Sequence, residues 1–152
     1  MKKHEAAARN AEALLRRPSC NVALLGCPAR TWYVDQARVA EIVWWLLEEH
    51  AVVRIGARLP FAPLVEAAAA EYGDELLVTC FGPTGIEERL RLDETDPAIL
   101  EGADLVVAFP VEGRDVLSAD PLVEYALLSR LPVLAVYRET MRWFTVDNYS
   151  FG

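Results

Sequence analysis

The chain has 152 residues and a formal net charge of −8, with 53% hydrophobic and 25% charged residues. Length and apolar content suit one globular domain with a real core and exclude a disordered chain. The acidity argues against broad nucleic-acid binding, an affinity carried mainly by cations, and no apolar run reaches the roughly 18–20 residues that a membrane span needs.

The first seventeen residues set Lys2, Lys3, Arg9, Arg16 and Arg17 against Glu5 and Glu12, so a basic lead-in precedes an acidic body. They lack the apolar stretch of a signal peptide. Residues 6–16 hold strong helix formers with neither Gly nor Pro, which predicts a short helix that Pro18 stops. Residues 1–18 therefore read as a helix and lead-in, and 19–152 as a single domain. Cys20, Cys27 and Cys80 form no CxxC pair, so neither a zinc site nor a disulfide framework is expected, and a reduced cytoplasm fits.

From Asn21 onward, apolar runs alternate with helical spacings. Residues 22–25 predict a buried strand ended by Gly26. Residues 31–49 predict a helix, with Val39, Ile42, Val43, Leu46 and Leu47 recurring at three and four residues. Residues 51–55 predict a second strand ending at Gly56. A helix then opens at Pro60 or Pro63 and runs to Tyr72, with Gly73 as its stop. Residues 76–81 predict a third strand, 82–85 a turn cluster and 98–100 one helical turn. Residues 105–109 predict a fourth strand. Asp120-Pro121 reads as an N-cap with Pro in the first helical position, opening a helix to Arg130, and 133–137 predict a fifth strand.

Continuous apolar strands are buried on both faces, which means a parallel sheet covered by helices. The expected fold is therefore an α/β, Rossmann-like three-layer sandwich with a mostly parallel sheet of about five strands. In such sheets ligands bind beyond the carboxyl ends of the strands, near the point where strand order reverses. That rule selects the loops around Gly26, Cys27, Arg30 and Thr31, around Gly56, Ala57 and Arg58, at residues 81–85, and at 110–115 with Gly113 and Arg114. Backbone N–H groups at a helix start favour anions, and Arg30, Arg58 and Arg114 add cations, so a bound nucleotide or phosphate is the expected ligand. The competing reading is that the glycines only permit tight turns and the arginines are solvated.

Asp115 and Glu124 are the carboxylates an enzyme would use on a glycosidic bond. Asp120 reads as a cap, and His50 as a helix-end residue favoured by the dipole. Cys27 reads as a small loop residue. Trp44 and Trp45 are adjacent, so they cannot share one helix face, and Trp143, Phe144, Tyr149 and Phe151 crowd the carboxyl end. These aromatics either form an interface, which gives a homodimer, or fold back on their own sheet.

With the loops placed, the chain resembles the SLOG superfamily, which includes the Smf/DprA and Lonely Guy related proteins, and its small YspA-type single-domain members above all. The resemblance spans about residues 22–137. It rests on Gly26-Cys-Pro-Ala-Arg30-Thr-Trp32 after the first strand, on Gly56-Ala-Arg58 before an alanine-rich helix, and on Gly102-Ala-Asp104 before the late strand. It implies a nucleotide or nucleotide-derived ligand over the loops at Gly26 and Gly56. The family's second loop continues with Gly and then Asp, where this chain has Leu59 and Phe61. The Pro-Gly-Gly-x-Gly-Thr-x-x-Glu motif of the phosphoribohydrolases is absent, and 111–115 stands near its place. A binding protein without strong catalytic equipment follows.

Asp104, Asp115, Glu124 and Ala126 also resemble the pattern of nucleoside deoxyribosyltransferases, which use a carboxylate nucleophile on such a helix. Here Glu124 lies closer to Ala126 than in that family. An N-glycosidic hydrolase or transferase using Glu124 is the alternative function, and a homo-oligomeric interaction module with a vestigial ligand site is another.

Overall fold

A computed structural model of the chain describes residues 2–17, 19–26, 32–56, 62–73, 78–81 and 97–150. Six strands form one sheet: β1 (Asn21–Gly26), β2 (Val52–Gly56), β3 (Val78–Phe81), β4 (Leu105–Phe109), β5 (Val133–Val136) and β6 (Met141–Phe144). Their order is β3-β2-β1-β4-β5-β6; the first five are parallel, and β6 pairs antiparallel with β5. The helices are α1 (Lys2–Leu15), α2 (Trp32–Glu48), α3 (Ala62–Tyr72) and α4 (Leu122–Leu128), with 3₁₀ turns at Pro97–Leu100 and Val116–Ala119. The expected three-layer, Rossmann-like sandwich is present. β6 and the turn at Val116–Ala119 extend it beyond the predicted elements.

β1, β4 and β5 divide their side chains between two cores, and β2 contributes to the first. One face carries Val22, Leu24, Val53, Ile55, Leu105, Val107, Phe109, Leu134 and Val136, packed against residues of α1, α2 and α3 such as Ala11, Leu15, Val43, Leu47 and Val65. The other face carries Ala23, Leu25, Val106, Ala108, Val133 and Ala135, packed against Ile99, Val116, Ala119, Val123 and Leu127. Small residues dominate the strands on that second face, so α4 and the 3₁₀ turns lie close to the sheet. The two faces follow from crossover handedness. The chain steps one way through β1, β2 and β3 and the other way through β4 and β5, so right-handed connections put α2 and α3 on one side and α4 on the other.

Local chemistry sets the element ends. The Ala51 N–H donates to Leu46 O (3.0 Å) and the His50 N–H to Leu47 O (2.9 Å), with His50 left-handed at φ 60°. This double bond pattern closes α2 with His50 in the place glycine usually takes. Arg130 closes α4 the same way, at φ 67°, through Leu131 N–H to Ala126 O and Arg130 N–H to Leu127 O. That leaves α4 shorter than the predicted helix to Arg130. At its start, Asp120 Oδ1 accepts from the Leu122 N–H at 2.8 Å, so the predicted capping role of Asp120 is the one observed.

Several of the described aromatics turn inward. Trp44 meets Tyr72 edge-on with ring centroids 5.6 Å apart, and Trp45 packs against the first core. Trp143 is buried, and Phe144 stacks edge-on with Tyr149 at 5.7 Å. These described tail aromatics fold back on their own sheet, one of the two expected arrangements, because β6 makes their segment part of the sheet. Phe151 lies outside the described residues.

Candidate functional site

Strand order reverses between β1 and β4, and their carboxyl ends stand level, with Gly26 in register with Phe109. Neighbouring connections leave such a reversal point on opposite faces, which opens a crevice beyond the sheet edge. Gly26 and Gly56 close β1 and β2 on that edge, and both are buried. Cys27, Arg30, Thr31, Ala57, Arg58, Leu59, Phe61 and the turn cluster at 82–85 lie outside the described residues. Cys80 belongs to β3.

The β4 side of the crevice is described in full. After Phe109 the chain makes a turn in which the Arg114 N–H donates to Val111 O at 3.0 Å. Gly113 sits at the third position of that turn with φ 78°, where a side chain would be strained although the space around it is open. The Val111 N–H donates to Ser118 Oγ at 2.9 Å, and the Ser118 N–H to Asp115 O at 3.0 Å. The loop is thus braced by the 3₁₀ turn that follows it.

A second set of bonds reaches the loop from far along the chain. The Tyr137 hydroxyl donates to Arg114 O at 2.6 Å, and the Arg138 N–H to Glu112 Oε2 at 3.0 Å. The Tyr149 hydroxyl donates to Asp115 Oδ1 at 2.6 Å, and the same oxygen accepts from the Leu117 N–H at 2.9 Å. Asp115 is therefore the N-cap of the 3₁₀ turn as well as the anchor of the tail. Glu124, exposed in the first turn of α4, acts on the same tyrosine through space. So the structure places Gly113, Arg114 and Asp115 on the loop after β4, with Tyr149 bonded to Asp115 and within electrostatic reach of Glu124.

Electrostatics follow from this crowding. Burial, the bond to Asp115 and the charges of Asp115 and Glu124 push the Tyr149 hydroxyl up to about 12. Burial raises Tyr137 as well, helped by Asp115 and Glu112. Both phenols stay neutral donors across the physiological range, and the loop after β4 is an acidic wall in which Arg114 is the one cation among residues 110–120. Such a wall suits hydroxyl donors, which carboxylates accept, better than it suits a phosphate.

Sequence reading missed Tyr137 and Tyr149 as site residues, and also Arg54. Arg54 projects from β2 on the second face and donates from Nε to Ile99 O at 2.9 Å, from Nη2 to Ala98 O at 3.1 Å, and also to Glu101 O. Burial lowers its pKa. It is a strut that fixes the return from β3 to β4; a lone cation inside an apolar strand was the available signal. A hollow of about 520 Å³ lies at the opposite, amino end of the sheet, lined by Ala6, Asn10, Arg130, Pro132, Thr145 and Asp147 among others. Among the described residues no helix is long and apolar enough to cross a membrane, and no three His, Cys, Asp or Glu residues gather as metal ligands.

Comparison with protein-family models, with curated proteins and with solved structures gives no match for the chain.

Proposed function

We propose that the protein binds a nucleotide or nucleotide derivative across the carboxyl edge of the sheet, in the manner of the SLOG proteins it resembles, and that binding rather than turnover is its role. The observation that carries this reading is the reversal of strand order between β1 and β4, with glycine at the ends of β1 and β2. In this reading the nucleoside hydroxyls face the acidic loop after β4, and the phosphate lies toward Gly26 and Gly56 with Arg30 and Arg58. The net charge of −8 keeps the site selective for a small ligand over nucleic acid. Cytoplasmic placement belongs to the same reading. Calorimetry with a panel of mono- and dinucleotides tests it; a folded protein that binds none of them refutes it.

A second reading, cleavage or transfer at an N-glycosidic bond, is favoured by two carboxylates that act on one tyrosine, Asp115 through a hydrogen bond to Tyr149 and Glu124 through its charge. Chromatography of a nucleoside mixture after incubation tests it, and base release that survives Glu124→Gln removes Glu124 as nucleophile. A third reading, self-association as a homodimer, is favoured by the exposed Tyr125 and Leu128.

A further inference from the structure

We infer that the hollow at the amino end of the sheet is a binding site for a small zwitterion, a free amino acid with an aliphatic side chain. It lies at the opposite end of the sheet from the proposed nucleotide site and does not depend on it.

Three segments build this hollow of about 520 Å³: α1, the turn from α4 into β5, and the turn that follows β6. The volume lies within the roughly 300–1,000 Å³ of small-molecule sites. Two of the walls are fixed by their own hydrogen bonds. The Arg130 and Leu131 N–H groups donate back to Leu127 O (3.0 Å) and Ala126 O (2.9 Å). In the turn after β6, the Thr145 N–H donates to Asn148 Oδ1 at 2.7 Å, and Asn148 Nδ2 donates to Trp143 O at 3.2 Å. The Tyr149 N–H closes the same turn on Thr145 O at 3.0 Å. Walls held in place before a ligand arrives lower the cost of binding it.

The lining selects the ligand. Arg130 and Asp147 are its charged residues, one of each sign. Among the described residues neither side chain has a hydrogen bond or an ion pair, so the two do not bond to each other across the hollow. Arg130 is held at φ 67°, a conformation that glycine adopts with less strain, so the turn alone does not account for an arginine there. A guanidinium takes a carboxylate, and a carboxylate takes an ammonium. A ligand that carries both groups satisfies both liners, and its zero net charge is not repelled by a body of −8. Asn10 and Thr145 add an amide and a hydroxyl, which donate or accept. The apolar part of the lining, Pro132, Val146 and two alanines of α1, is aliphatic, which matches an aliphatic side chain.

Amide chemical-shift titration of the full chain with L-leucine tests this. The amides of Arg130, Thr145, Val146 and Asp147 shift and saturate, with a dissociation constant on the order of 0.1–1 mM, while those of Gly26, Gly56 and Gly113 stay in place. Leucinamide, which lacks the carboxylate, and isocaproate, which lacks the ammonium, each bind about tenfold more weakly. Arg130→Gly keeps or raises the urea midpoint, because glycine suits the turn, and weakens leucine binding about tenfold. Asp147→Asn weakens it by a similar factor with the fold retained. No saturable shift with L-leucine overturns the inference. So does equal binding of either analogue, a shift confined to the carboxyl edge, or an Arg130→Gly variant that binds leucine as the wild type does. Each of these results leaves the nucleotide site standing, since nucleotides probe that site separately.

Discussion

Tyr149→Phe isolates the bond that ties the carboxyl-terminal segment to the loop after β4. The substitution keeps the ring on Phe144 and removes only the hydroxyl that donates to Asp115 at 2.6 Å. A bond to an ionised carboxylate is worth about 1.5–3 kcal/mol when fully shielded. Here both partners meet solvent, and screening reduces the expected loss to about 1 kcal/mol. For a chain of this size that lowers Tm by roughly 2–4 °C. The effect has a pH signature. The folded-state phenol titrates near 12 against an ordinary value of 10.0, so the neutral form is favoured in the native state. Its contribution is complete below pH 10 and is lost as pH rises from 10 toward 12. Urea unfolding of wild type and variant at pH 8 and again above pH 10 gives the test. The stability gap is open at pH 8 and narrows as pH rises from 10 toward 12. Equal stabilities at pH 8, or a gap that does not change with pH, refute the reasoning.

Three other substitutions or treatments follow from the geometry. Arg54→Met removes the strut to Ala98, Ile99 and Glu101 and costs about 2–3 kcal/mol in chemical denaturation; Arg54→Lys, which lacks the planar fork, recovers less than half of that, and full recovery contradicts the account. Asp120→Ala strips the cap from α4 and costs about 1–2 kcal/mol in the same assay; no change would mean that α4 is held by packing alone. Cys20 is buried with its thiol pushed up to about 11, so it reacts with a disulfide reagent at pH 8 only at the rate of global unfolding, and prompt labelling in the native state contradicts that burial.

What the sequence made legible divides along physical lines. β1, β4 and β5 are apolar runs buried on both faces, and such runs are read without knowledge of their neighbours. β6 was not legible. It has four residues, Met-Arg-Trp-Phe, of which two are exposed, and it follows a turn at 137–140 whose centre, Arg138-Glu139, holds no Gly, Asn or Asp to announce a hairpin. Missing β6 also left open whether Trp143 and Phe144 form an interface or fold back on the sheet.

Asp120 was legible as a cap because its partner lies two residues away. The tyrosines at the loop after β4 were not, since Tyr137 reaches back 23 residues and Tyr149 reaches back 34. Asp115 looked like a candidate catalyst by residue type. Its contacts assign it first to capping Val116–Ala119 and anchoring Tyr149.

The central claim is that ligand binds at the carboxyl edge, where strand order reverses. Amide chemical-shift mapping during titration with a nucleotide tests it most directly. The account predicts that the amides of Gly26, Gly56, Gly113 and Arg114 move together and saturate. Movement confined to Asn10, Arg130 and Thr145 at the amino end of the sheet, or none with any nucleotide, contradicts it.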